Sequence, residues 1–348
     1  MKRISKRPYC VRAVLLKIDA MTTSAFNFQT LTPDLILDAL ESTGIRVDSG
    51  LSELNSYENR VYQLMDEDRR RYVVKFYRPE RWSDAQIAEE HAFSAELTAQ
   101  EIPLAAPLPL NGATLHHYHG YAFAVFPSLG GREYEVDSLD QLEWVGRYLG
   151  RLHQVGRRQL FSSRPTIGLD EYVYQPRALL AESPLVPEAQ RSALLSALDT
   201  LIAALLPCWR DDLPQLRLHG DCHPGNILWR DGPLFVDLDD ARNGPALQDL
   251  WMLLNGDDAE KRIQLDVLLE AYGEFSDFDL RELALIEPLR AMRMIHYVAW
   301  ICRRWQDPAF PRSFPWVGET QFWLRQIQVF QEQVRLLQAA PLQLTPMY

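Results

Sequence analysis

His219-Gly220-Asp221-Cys222-His223-Pro224-Gly225-Asn226, running on into the apolar Ile227-Leu228-Trp229 and then into Leu234-Phe235-Val236-Asp237, decides how the rest of the chain is read. Phosphoryl transfer needs one carboxylate to orient an attacking hydroxyl and accept its proton. It also needs a second carboxylate and an amide oxygen to hold Mg²⁺ against nucleotide phosphates. Asp221, Asp237 and Asn226 supply that set, and the short apolar runs between them deliver the second carboxylate as a hairpin would. Two other readings compete. His219, Asp221, Cys222 and His223 are all zinc-ligand types, but a turn carrying Pro224 and Gly225, with no partner cluster elsewhere, makes a poor closed tetrahedral site. An Asp and an Asn that merely cap a turn would not call for a second carboxylate after the next strand.

The order and the Asp-to-Asn spacing match the H-R-D-x-x-x-x-N catalytic loop of protein kinases, with Gly220 in place of Arg. The segment resembles more closely the kinase-like phosphotransferase superfamily of aminoglycoside phosphotransferases and choline kinases. There the loop reads H-G-D-x-x-x-x-N and the later segment I-D-[WFL]-[DE]; here Val236-Asp237-Leu238-Asp239 stands in that place. Within the superfamily, the wording around the loop and the stretch from Arg164 to Tyr172 are similar to a bacterial subfamily of serine/threonine protein kinases that act in stress response. The likeness runs from about Thr32 to the C-terminus. It implies a two-lobed, protein-kinase-like α+β fold, with a small β-rich N-lobe over 21–130 and a larger helical C-lobe over 131–348. It implies ATP as co-substrate, Mg²⁺ as cofactor, and Asp221 and Asp237 as catalytic residues, with Asn226 and Asp237 on the metal.

Ahead of the catalytic loop the pattern fits a nucleotide site. Asn59–Met65 alternates, turns at Asp66–Arg71 and returns as Tyr72-Val73-Val74-Lys75-Phe76-Tyr77, a hairpin that puts Lys75 on its second strand. The context resembles the V-A-I-K strand whose Lys reaches the phosphates. Ser83–Gln100 reads as a helix with a Ser/Asp start and with Ala88, Ala92, Ala95 and Ala99 along one face for close packing. Glu90 on this helix, at the superfamily's offset from Pro103, is the expected ion-pair partner of Lys75; Glu89 and Glu96 compete for that place. The loop Ser52–Asn59 has no Gly, so Ser56 and nearby backbone amides would donate to the phosphates. Tyr121–Phe126 reads as a buried strand and Pro127–Gly131 as the inter-lobe hinge, with adenine expected to meet the backbone near Phe126 to Leu129. Further on, His153 reads as a packed histidine. Asp237 and Asp239 would share a strand face and Asp240 point away, making Asp239 a possible second metal ligand. Asp249 and His219 would organise the catalytic loop.

Composition bounds the rest. The chain has 348 residues, 47% hydrophobic, enough for one large domain or two. With 36 basic and 47 acidic residues the charge is −11, which disfavours nucleic-acid binding. Four cysteines without framework spacing suit a reducing cytoplasm, and no run reaches the ~20 apolar residues of a membrane helix. Residues 1–20 carry basic residues and one short apolar patch broken by Lys17, with no cleavage site; with Met21 a plausible start, they are expected to be an upstream extension outside the fold. The implied acceptor is a Ser or Thr of protein, the chain itself included, and the expected state is a monomer. A small-molecule kinase for an aminoglycoside, choline or homoserine is the alternative. A pseudokinase is a third reading, opposed by the intact Lys75, Asp221, Asn226 and Asp237.

Overall fold

In the computed structural model, which describes residues 27–345, the first helix α1 (Pro33–Ser42) starts where Thr32 Oγ1 accepts the Leu35 amide and Pro33 fills the first position. Its Ile36, Ala39 and Leu40 pack on an antiparallel sheet of β1 (Ser52–Glu53), β2 (Arg60–Met65), β3 (Arg71–Phe76), β4 (His116–Tyr118) and β5 (Tyr121–Pro127), in the order β1-β2-β3-β5-β4. The register sets Val61 opposite Lys75 and Lys75 opposite Ala124. Lys75 therefore lies on the central strand of this sheet, on the second arm of the expected hairpin.

Between β3 and β4 runs α2 (Asp84–Ala99), started by a capping box in which Ser83 and Gln86 exchange side-chain and backbone bonds. Its alanine stripe does not pack: Ala88, Ala92, Ala95 and Ala99 are all exposed. The buried stripe is Ile87, Glu90, His91, Phe93, Ser94 and Leu97, at the same i, i+3, i+4 spacing but rotated around the axis. Alanine is as good a helix former on a wet face as on a dry one, so its period carries no direction. Phe93 and Leu97 join the core of the second lobe, and α2 is thus shared between the lobes.

After the linker, β6 (Arg132–Glu133) pairs with β8 (Ile227–Trp229), which pairs in turn with β9 (Pro233–Phe235). A second pair, β7 (Leu216–Leu218) with β10 (Arg242–Gly244), frames the catalytic loop. Around these strands pack α3 (Leu139–Gly156), α4 (Gln175–Glu182), α5 (Glu188–Leu205), α6 (Asp258–Gly273), α7 (Ile286–Arg304), α8 (Ala309–Ser313) and α9 (Thr320–Gln338). This is the two-lobed α+β arrangement expected from the sequence. Contrary to the sequence expectation, one helical stretch among the described residues, Glu188–Cys208, is long and apolar enough to cross a membrane by length and composition. Here its Leu194, Leu198, Leu201 and Leu205 are buried in the core. The expected extension at 1–20 lies outside the described residues.

Candidate active site

The catalytic loop is held from beneath by one carboxylate. Fully buried Asp249 accepts the amides of His219 (2.7 Å) and Gly220 (2.8 Å), and the His153 ring lies 3.0 Å from the same carboxylate. Gln248 Nε2 donates to the Gly220 carbonyl at 2.9 Å, and His219 Nε2 bonds the Val236 carbonyl at 3.0 Å. Gly220 has φ +88°, and a Cβ on it would collide with the Asp240 carbonyl. Both facts call for the glycine that stands where protein kinases carry Arg. His153 is indeed a packed residue, completing this support with the Tyr272 hydroxyl at 3.0 Å.

Asp221 leaves the loop with its carboxylate engaged. Arg293 Nη1, from α7, sits 2.6 Å from Oδ1, and His223 Nε2 lies 3.5 Å from Oδ2. Burial alone would raise this carboxyl; the His223 hydrogen bond and the Arg293 charge outweigh burial and hold it down to about 2. Asp221 is therefore an anion at any physiological pH. Asn226, in the short turn after the loop, donates Nδ2 to the Asp221 carbonyl at 2.9 Å, which leaves Oδ1 for a cation.

Asp237 does not continue strand β9. It adopts a left-handed conformation (φ 62°, ψ 67°), which Asp tolerates better than most residues, and Leu238–Asp240 forms a 3₁₀ turn. The alternation argument for Asp237, Asp239 and Asp240 therefore lapses. Asp239 is no free metal ligand: Arg81 and Asn59 bind its Oδ2, the latter at 3.1 Å. Asp240 pairs with Arg81 at 2.8 Å and Arg242 at 2.9 Å.

The ion pair of Lys75 also differs from expectation. Its Nζ lies 2.6 Å from Asp237 and 3.9 Å from Asp239, and these are its ion-pair partners among the described residues. Burial pulls this ammonium down, but Asp237, Asp239 and Glu90 outweigh it and raise it. Glu90 is buried nearby without touching Lys75. Its Oε2 has no hydrogen-bond partner, and burial pushes its carboxyl up to about 7 against the pull of Lys75 and Arg164. Its competitors are committed elsewhere: Glu89 accepts the amides of Ser162, Ser163 and Arg164, and Glu96 pairs with Arg217.

Ser56, Lys75, Glu90, Asn226 and Asp237 all line one cavity of about 360 Å³, whose wall includes the hinge residues Phe126 to Leu129. That volume lies in the range of small-molecule sites. Val61, Val73, Leu228 and Val236 offer apolar surface there for a flat ring. Arg293 and Arg81 are the functional residues that sequence reasoning missed. Each meets its carboxylate from a distant segment, 72 residues away for Arg293, and neither has a local pattern to mark it.

The model of the phosphotransferase enzyme family matches residues 50–286. The chain is 64% identical over 328 residues, 94% of its length and all of the relative's, to the stress response kinase A of Escherichia coli strain K12. It is 62% identical over the same extent to the serine/threonine protein kinase RdoA of Salmonella typhimurium strain LT2. Among solved structures, the amicoumacin kinase hAmiN in complex with AMP-PNP, Ca²⁺ and Ami superposes with a TM-score of 0.69 over 89% of this chain and 94% of that one, at 19% identity.

Proposed function

Because the chain belongs to the phosphotransferase enzyme family, and is a kinase that transfers phosphate from ATP to a hydroxyl, we propose that its acceptor is a serine or threonine of protein, its own chain included. We propose further that it serves a stress response in the cytoplasm. The full-length identity to relatives named as stress response and serine/threonine kinases supports this reading. The observation that carries it against the small cationic alcohols is the Arg293 guanidinium on Asp221. A pocket for choline or an aminoglycoside would present carboxylates without partners around the attacking hydroxyl. Here Asp221 is matched by Arg293, Asp240 by Arg81 and Arg242, and Glu171 by Arg242. An ammonium entering this side would meet guanidinium groups.

Asp237 and Asn226 present hard oxygen donors to the nucleotide cavity, the set Mg²⁺ takes. When bound, Mg²⁺ would neutralise charge on the transferring phosphates. Lys75 is placed to bind phosphate oxygens and Ser56 to donate its hydroxyl to them. The Asp221 carboxylate aligns the acceptor hydroxyl and takes its proton as the oxygen attacks the terminal phosphorus and ADP departs. Arg293, half-exposed, yields that carboxylate to the acceptor.

Radiolabelled ATP offered with the protein alone, with generic protein substrates, and with choline, homoserine and aminoglycosides tests the proposal. Acid-stable label on Ser or Thr is the expected result. Efficient phosphorylation of a small alcohol with no label on protein would overturn the acceptor while leaving the fold and the Asp221 chemistry in place.

A further inference from the structure

On the far side of the Arg81–Asp239 contact a second cavity, of about 400 Å³, opens between the lobes. Five arginines line it: Arg60 and Arg78 from the N-lobe, Arg303 and Arg304 from the end of α7, and Arg312 from α8. Against them stand two carboxylates of the lining, Asp307 and Glu80. This local excess of positive charge runs against a chain whose formal charge is −11.

The arginines differ in how far they are satisfied. Arg60 and Arg78 share one carboxylate, Asp307, at 2.8 and 2.7 Å, and both guanidinium groups lie over the Phe28 ring at 4.5 and 5.3 Å. Their side chains are 14% and 10% exposed, so the pair is fixed in place. Arg304 is held by Glu58 at 2.6 Å. Arg303 and Arg312 make no ion pair with any described residue. Planar guanidinium forks converging from two lobes, part fixed and part unspent, suit an anion with several oxygens rather than a single carboxylate.

The cavity is also wired to the nucleotide site. Glu58, which holds Arg304, lies 3.0 Å from Arg78 and 3.8 Å from Arg81. Arg81 binds Asp239, Asp239 lies 3.9 Å from Lys75, and Lys75 binds Asp237 at 2.6 Å. An anion drawing on Arg304 and Arg78 would free Glu58 to pull on Arg81 and so loosen the hold of Arg81 on Asp239. We propose that this inter-lobe cavity binds a phosphate dianion, free or as a monoester on a side chain, and that its occupancy changes nucleotide affinity through Glu58, Arg81 and Asp239. The inference does not depend on what the acceptor is.

The test uses the full chain saturated with Mg-AMP-PNP, so that the nucleotide site cannot take phosphate, at ionic strength matched with sodium chloride. Calorimetric titration with inorganic phosphate is expected to show saturable binding, weakened at least about tenfold in R303A/R312A. In the wild type, saturating phosphate shifts AMP-PNP affinity severalfold, as linkage requires; in the double variant it does not. A phosphoserine peptide binding tighter than inorganic phosphate identifies a protein-borne group, and equal binding a free anion. Equal phosphate affinity in wild type and double variant, or no saturable binding in either, would overturn the site. Unchanged AMP-PNP affinity with phosphate bound would overturn the coupling.

Discussion

The hydrogen bonds that Asp249 and Gln248 make to the backbone of His219 and Gly220 close within 30 residues of sequence, whereas the two ion pairs of Asp307 across the lobe seam join residues 229 and 247 apart. The first region is built on backbone amides received by one buried carboxylate; the second is built chiefly of charged side chains. A loop that must present Asp221 at a fixed angle cannot tolerate slack, so its contacts are local, buried and made to the main chain. A seam that joins two lobes can use longer and wetter contacts, and the electrostatics of the site are set there. Arg293 belongs to the second kind of contact although it touches the first region.

Asp221→Ala is the sharpest probe of the local region and carries the largest expected effect. Removing the orienting and proton-accepting carboxylate should lower turnover about 10²–10⁴-fold, while AMP-PNP affinity stays near wild type because the cavity that binds it is lined by other residues. Phosphorylation at the wild-type rate would remove Asp221 from the chemistry.

Asp249→Ala comes next. It strips the amides of His219 and Gly220 of their acceptor in a site without exposed surface, so a loss of about 3 kcal/mol in unfolding free energy is expected. Turnover per folded molecule should fall as well. If stability dropped and turnover did not, the loop would hold its shape without its buried carboxylate, and the contrast between the regions would fail.

Asp307→Ala probes the seam. Two arginines lose a shared partner at partly buried positions, for which about 2 kcal/mol is expected, read as a lower midpoint in urea. Turnover measured well below that midpoint should stay within about threefold, since no Asp307 contact reaches the nucleotide cavity directly. A larger loss of turnover would make the seam part of the catalytic apparatus.

The same division explains what could be read from the chain. The hairpin that carries Lys75, the Ser83 start of α2 and the loop itself are local patterns with physical causes, and each is legible in the sequence. Asp239 was misplaced because nothing in Val236-Asp237-Leu238-Asp239 announces that the backbone turns left-handed at Asp237. The alanine face of α2 misleads because alanine marks helix and not burial. The sequence pairs Lys75 with Glu90, yet the nearer charge is Asp237. Choosing among carboxylates a few ångströms apart needs coordinates. Arg293 and Arg81 had no signature at all, since an arginine on a helix or in a turn is most often a solvated one.

Arg293→Gln joins the two regions and carries the smallest effect at neutral pH. The Asp221 carboxyl is held down to about 2, below its ordinary 3.8, by His223 and Arg293 against the upward push of burial. A group depressed in the folded state adds stability above its unfolded pKa and loses that stability as pH falls through the folded one. For Asp221 the window runs from about 4 down to about 2. Gln at position 293 keeps a hydrogen-bond donor and removes the charge, so the folded value rises and the window narrows. At pH 7.5 Asp221 stays ionised, and turnover should change by only a few-fold, an increase if Arg293 obstructs the acceptor more than it aligns Asp221. Below pH 6, in a buffer series at constant ionic strength, the acid limb of kcat/KM for a protein substrate should shift to higher pH in the variant. An unshifted limb would show that His223 alone sets the Asp221 charge. The seam would then stop short of the catalytic carboxylate.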